Sequence, residues 1–429
     1  METNIQNVIL AGLDDGAKRF AYSMEELANL VAANNMTVSA QMTQKLDHPN
    51  PATYFGKGKI AELKELVTIH DSHMIVTNDE LSPSQIRNIE AETEVKVLDR
   101  TGLILDIFAS RAQSRAAKLQ VEIARLQYQL PRLRTSMNIR LDQQTGAGGG
   151  SFTNRGAGET KLELDRRTIE KQIAHLKEEL ATIEKADTTR RNQRVKAGLP
   201  TVALVGYTNS GKSTTMNGLV RLFGQHLDKQ VFEKDMLFAT LDTSVRVLTL
   251  PDQKQFLLSD TVGFVSKLPH NLISAFRQTL AEAAQADLLI QVVDYADPNY
   301  QDMMQTTEQT LKAIGVTNIP MIVGYNKADK LLDPIAYPTR EGDTLVYSAR
   351  DEASLMALLA IIKEHIFNDY TTVDLLIPFS DGQIITYLND NAHVIETNYV
   401  AEGTQVKVEL TLADASKYAK YQLSSTDKR

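Results

Sequence analysis

Thr201-Val202-Ala203-Leu204-Val205-Gly206-Tyr207-Thr208-Asn209-Ser210-Gly211-Lys212-Ser213 is the stretch that decides the fold. An apolar run of strand length feeds directly into a glycine-bracketed turn, and a helical pattern follows. Strand, glycine turn and helix in that order are the setting a phosphate-binding loop requires. Gly206 and Gly211 permit the tight path that points successive N–H groups at a β-phosphate, and the helix adds its positive N-terminal end. Lys212 is then the mobile cation for the β- and γ-phosphates, and Ser213 offers a hydroxyl to magnesium, which favours oxygen donors. The loop alone does not separate ATP from GTP.

Three later segments make that separation. Phe256 to Ser259 reads as a buried strand ending in Asp260-Thr261-Val262-Gly263. Asp260 is placed to hold magnesium, and the Gly263 N–H to meet a γ-phosphate and let the next segment switch. After the apolar strand at Met321 to Val323 comes Asn326-Lys327-Ala328-Asp329. Asp329 can accept from the N1–H and the exocyclic amine of guanine, whereas adenine would oppose it with an acceptor, and buried acceptors facing each other are penalised. Ser348-Ala349-Arg350 follows the strand at Leu345 to Tyr347 and supplies a loop to close over the base. Between the first two motifs, Phe238-Ala239-Thr240-Leu241-Asp242 holds the best candidate for a magnesium-sensing threonine, Thr240. Lys212, Thr240 and Gly263 are the expected catalytic positions, and Ser213, Thr240 and Asp260 the expected metal ligands. Position 264 is Phe, which cannot orient an attacking water as a glutamine does, so slow hydrolysis is expected of the isolated protein.

With 429 residues the chain is too long for one ordinary core, and 42% apolar with 23% charged residues is an ordinary globular composition. There are no cysteines, so disulfides, thiolate metal sites and cysteine nucleophiles are excluded, and the eight histidines lack metal-ligand spacing. No basic patch with an apolar core opens the sequence and no apolar run could span a bilayer, so a cytoplasmic protein is expected. The net charge is −8, yet Arg111 to Lys196 carries 18 basic against 10 acidic residues, a local +8 that leaves −16 elsewhere. Such a segment reads either as a polyanion-facing region or as the charged surface of exposed helices.

Up to about Ser110 short apolar runs at Val8-Ile9-Leu10, Met74-Ile75-Val76 and Val95 to Leu98 alternate with helix-like stretches at Met24 to Ala33 and Lys59 to Val67, the pattern of a small α/β unit with a parallel sheet. The glycine-lysine segment Asn50 to Lys59 reads as a turn before a helix, in preference to a phosphate-facing loop. Ala112, Ala116, Leu119, Ile123, Leu126, Leu130 and Leu133 then fall at coiled-coil spacing, as do Ile169, Ile173, Leu176, Leu180 and Ile183, which predicts an antiparallel helical hairpin whose first helix ends or kinks at Pro131. Gln143 to Thr160, with six glycines, is expected to be its tip loop, read as a flexible linker in slight preference to a loop that reaches into RNA. The tail shows a helix-like stretch from Asp381 to Leu388 and an alternating strand at Val406 to Leu412. The expected domains are 1–110, α/β; 111–196, hairpin; 197–368, phosphate-loop GTPase domain; and 369–429, small α+β, in all a multidomain α/β protein.

Tyr54-Phe55-Gly56-Lys57-Gly58-Lys59, the heptad hairpin, Arg155 to Glu163, the phosphate loop, Phe238 to Asp242 and Asp260 to Phe264 together resemble the HflX translational GTPases, over essentially the whole chain. Where the family usually has a proline, Gly156-Ala157-Gly158 stands. The resemblance implies a magnesium-dependent GTPase that binds the large ribosomal subunit and its rRNA, and separates stalled or idle ribosomes under stress, with the hairpin tip approaching the peptidyl-transferase region. Family members have been credited with ATP use by the N-terminal domain, but no phosphate loop occurs there. Other readings of the same motifs are a ribosome-assembly factor and a regulatory switch with a protein partner. A monomer is expected, because the two coiled-coil helices satisfy each other.

Overall fold

The structure is a computed structural model, and it describes residues 6–16, 19–144, 153–196, 199–224, 237–238, 244–267 and 281–423. In the first unit, β1 (Gln6–Asp14), β2 (Met36–Lys45), β3 (Met74–Thr77) and β4 (Lys96–Asp99) form an all-parallel sheet in the order β2-β1-β3-β4. Its faces are covered by α1 (Phe20–Ala33), α2 (Lys57–Ile69), α3 (Pro83–Thr93) and α4 (Arg100–Arg111). Along β1, Val8 and Leu10 face α1 and α4 while Ile9 and Ala11 face α2 and α3, which is why the strand is a continuous apolar run rather than an alternating one. Asn50 to Tyr54 closes as a turn that leads through Gly56 into α2, as its composition suggested.

Two long helices follow, α5 (Arg115–Gln144) and α6 (Thr153–Lys196). They pack through Ile123 and Leu126 against Ile169, Ile173, Leu176 and Leu180, the residues given by the spacing. Of the two outcomes expected at Pro131, the helix does not end there but runs through it; Arg132 secures the same turn, its guanidinium donating to the Tyr128 carbonyl at 2.7 Å and to Asp99 at 2.9 Å. The tip is also shorter than expected, since the backbone is already helical from Thr153; the helix-forming run after Gly158 propagates back through two glycines once nucleated. Residues 145–152 of the tip lie outside the described residues. Nor is the hairpin independent at its base, where Ala117, Val121 and Ala124 on a second face of α5 join the core under α1 and α4.

The third unit has a seven-stranded sheet ordered β10-β11-β9-β8-β5-β7-β6. Its strands are β5 (Thr201–Val205), β6 (Ser244–Thr249), β7 (Gln255–Asp260), β8 (Leu288–Asp294), β9 (Met321–Asn326), β10 (Thr339–Glu341) and β11 (Thr344–Val346). Five are parallel, with β6 and β10 antiparallel at the two edges. The helices described around it are α7 (Lys212–Phe223), α8 (Ala281–Ala284), α9 (Tyr300–Ala313) and α10 (Glu352–Ile366). The last unit is an antiparallel sheet ordered β12-β14-β13, from β12 (Tyr370–Ile377), β13 (His393–Val400) and β14 (Gly403–Thr411), packed against α11 (Gly382–Asn391) and α12 (Leu412–Lys417). Among the described residues no helix is long and apolar enough to cross a membrane.

Candidate guanine-nucleotide site

The motifs meet at the carboxyl ends of β5, β7, β8 and β9, where open parallel sheets place their ligands. Gly206 (φ +149°) and Gly211 (φ +97°) take conformations that favour glycine, and each is closely approached. A Cβ on Gly206 would lie 2.3 Å from the Val292 carbonyl oxygen, and one on Gly211 would lie 2.1 Å from Asn326 Nδ2. Lys212 opens α7 and is buried; its Nζ donates to the carbonyls of Gly206 (3.1 Å) and Tyr207 (2.7 Å). Burial pulls its ammonium down to about 8, with Asp260 opposing the shift and the charge of Lys327 adding to it.

Asp260 ends β7 fully buried, in register with Leu204 of β5, and accepts a hydrogen bond from Ser213 Oγ at 2.7 Å. A hydroxyl and a carboxylate converging beside a phosphate loop are oxygen donors of the kind magnesium takes. Thr240, the third nominated ligand, lies outside the described residues together with Ala239, Leu241 and Asp242. Phe238 is described: its N–H donates to Thr208 Oγ1 at 2.8 Å, and its ring meets Phe108 of α4 edge-on at 4.6 Å. Gly263 is required by contact, since a Cβ there would lie 2.6 Å from Thr208 Cα and 3.0 Å from Lys212 Nζ. Phe264 is buried, its carbonyl accepting from Thr208 N–H at 2.7 Å and its N–H donating to Gly206 O at 3.2 Å.

Some nominated residues brace the site rather than face it. Thr261 gives its hydroxyl to the Leu204 carbonyl at 2.7 Å, and Val262 is packed in the core. The Asn326 amide ties two loops together, donating to Ser210 O at 2.9 Å and accepting from Ala349 N–H at 2.9 Å. Ala328 is buried, its N–H donating to Tyr347 O at 3.2 Å, whereas Asp329 is exposed. Ser348 Oγ accepts the Arg350 N–H at 3.3 Å, and Asp351 caps α10.

Sequence reasoning placed Tyr207 in the phosphate loop but missed Glu26, Arg100 and Ser266, the residues behind the site that its side chain meets. Tyr207 donates its hydroxyl to Glu26 of α1 and accepts from Ser266 N–H at 2.7 Å; burial and the Glu26 charge hold its phenol well above the ordinary range. Glu26 in turn pairs with Arg100, both buried, and Ser266 Oγ donates to the same carboxylate. The available signal was a carboxylate set among Met24, Leu27, Leu30 and Val31 on one face of α1.

Phosphate loop, carboxylate at the end of the neighbouring strand and a base-reading segment on the far side define a guanine-nucleotide-binding GTPase of the P-loop class. Residues 21–109 match the family described as GTP-binding GTPase N-terminal, 111–194 the GTP-binding GTPase Middle Region, and 201–327 the 50S ribosome-binding GTPase. The chain is 40% identical to the GTPase HflX of Caldanaerobacter subterraneus, over 91% of this chain and 87% of that one. It is 35% identical to the GTPase HflX of Escherichia coli K12, over 91% and 89%. A GTP-binding protein from Sulfolobus solfataricus, solved with GDP, is similar at 24% identity and a TM-score of 0.45, covering 85% of this chain and 99% of that one. This chain belongs to the GTPase HflX family.

Proposed function

We propose that this GTPase binds the large ribosomal subunit and its rRNA in the cytoplasm and uses GTP hydrolysis to separate stalled or idle ribosomes under stress. The observation that carries the reading is the match of residues 201–327 to the 50S ribosome-binding GTPase family, joined to a hairpin whose segment bears a local +8 in an acidic chain. Backbone N–H groups of Asn209 and of Gly211 to Ser213, with the Lys212 ammonium, hold the phosphates, while Asp329 selects guanine and Ser348 to Arg350 closes over it. Ser213, Asp260 and Thr240 would hold magnesium, which supplies positive charge to the β- and γ-phosphates. Gly263 senses the γ-phosphate by its N–H. Phe264, buried and without a polar group, leaves the attacking water unoriented, so the free protein turns over well below the roughly 10 per second typical of enzymes, and the ribosome supplies what is missing.

The test is GTP hydrolysis by the purified protein with and without large subunits, with Lys212→Ala as control. Stimulation that vanishes in the control supports the reading, and intact ribosomes then report splitting by sedimentation. Nucleotide binding without stimulation would sink it in favour of a protein-partner switch, and subunit stimulation without splitting would favour an assembly factor.

A further inference from the structure

Strands β8 and β9 end side by side, with Asp294 in register with Asn326, and Tyr295 N–H donates to the Asn326 carbonyl at 2.9 Å. The next residue, Lys327, turns into the left-handed region at φ +66°, where a lysine stays only when its surroundings hold it. Those surroundings are few. Its carbonyl accepts from Lys330 N–H at 2.9 Å, and its Nζ donates to Asp294 Oδ2 at 2.6 Å, both side chains being less than one-fifth exposed. Asp294 is itself fixed, because its Oδ1 accepts the Ala296 N–H at 3.2 Å. Beside these strand ends the rings of Tyr295, Tyr300 and Tyr325 pack on one another with centroids 4.8 to 5.8 Å apart.

From this we infer that Asp294 is a positioning residue of the base reader: it acts through Lys327, holding that side chain and its left-handed backbone so that Asp329, two residues on, stays aimed at guanine. The inference rests on reading Asn326 to Asp329 as the base reader. An ammonium with a fixed carboxylate partner is held by a short, charge-assisted bond, whereas a free lysine would rotate to water and release the turn. GTP and GDP carry the same base, so the loss on breaking the pair falls on both equally.

A fluorescent GDP analogue and its displacement by GDP and GTP give affinities for Asp294→Asn, Lys327→Met, the double variant and Asp294→Glu. Asp294→Asn is expected to weaken both nucleotides by the same factor, about tenfold to a hundredfold, the usual worth of a hydrogen bond to a charged group. The double variant is expected to bind no worse than Lys327→Met, and Asp294→Glu to recover most of the loss. Parental affinity in Asp294→Asn, unequal losses for GDP and GTP, or losses that multiply in the double variant would overturn the inference. If Asp294→Asn does not fold, Lys327→Met with and without it decides: equal affinity supports the inference and a further loss overturns it. Parental affinity in Lys327→Met and Asp329→Asn would instead overturn the base-reader reading beneath it.

Discussion

Lys212 sits inside the protein with its ammonium against two carbonyls of its own loop, where burial lowers its proton affinity to about 8. Below that pH the free protein carries the charge. Above it the amine is neutral, and a polyphosphate, which stabilises the ammonium, must draw in a proton as it binds. Affinity for GDP should therefore fall by about tenfold between pH 7 and 9, with proton uptake visible at pH 8.5 as a calorimetric heat that depends on the ionisation enthalpy of the buffer. Identical heats in two such buffers, or a flat affinity over that range, would contradict it. That Lys212 opens a helix behind a glycine-bracketed turn could be read from the sequence, because glycine spacing after a strand constrains the backbone almost completely. Its resting bonds could not be read, and neither could Asp294 or Glu26, since nothing in local spacing says which carboxylate a fold will turn toward a distant lysine or tyrosine.

Local rules and tertiary contacts collide in α5. Proline inside a helix removes one backbone bond and costs about 3 kcal/mol. Yet Arg132 beside it lies 3.4 Å over the Tyr128 ring, donates to the Leu81 carbonyl at 3.1 Å and pairs with buried Asp99, which also takes the Tyr128 hydroxyl at 2.5 Å and caps α4. These contacts hold the turn in place and the local penalty is absorbed. Pro131→Ala should then raise the stability of the nucleotide-free protein by about 1–3 kcal/mol in urea unfolding, as a missing bond is restored in a helix already fixed. A loss of stability would mean that the proline relieves some strain that the contacts do not show. The stripe joining the two helices was legible because large residues repeat at 3.5; the second face of α5 was not, being made of Ala117, Val121 and Ala124. Strand β13 escaped notice for a related reason, since most of its residues are exposed and no apolar alternation marks them.

At the scale of the whole chain, the first unit and the GTPase unit share one core: Val8, Leu10 and Phe108 lie in the same cluster as Ala203, Tyr207 and Phe264. Buried among these contacts is the Glu26–Arg100 pair, which reaches the phosphate loop through Tyr207 and the segment after Gly263 through Ser266, while Lys267 bonds Asp79 at 2.5 Å. The order of units could be read from motif order and composition, but the way they close on one another could not, because it depends on a few polar groups in otherwise apolar faces. A buried ion pair is weak evidence of net stability, yet removing one partner leaves the other charge uncompensated. Glu26→Ala strands the guanidinium of Arg100, a residue 1% exposed, and should cost about 3–5 kcal/mol. The effect has a location as well as a size. Amide exchange should quicken first at Ser266, whose N–H bonds Tyr207, and at Thr208, whose N–H bonds the Phe264 carbonyl, ahead of β8 and β9 in the centre of the sheet. If stability falls while exchange at Ser266 and Thr208 keeps pace with the central strands, the pair secures the fold as a whole, and the nucleotide loop is not specifically braced by the first unit.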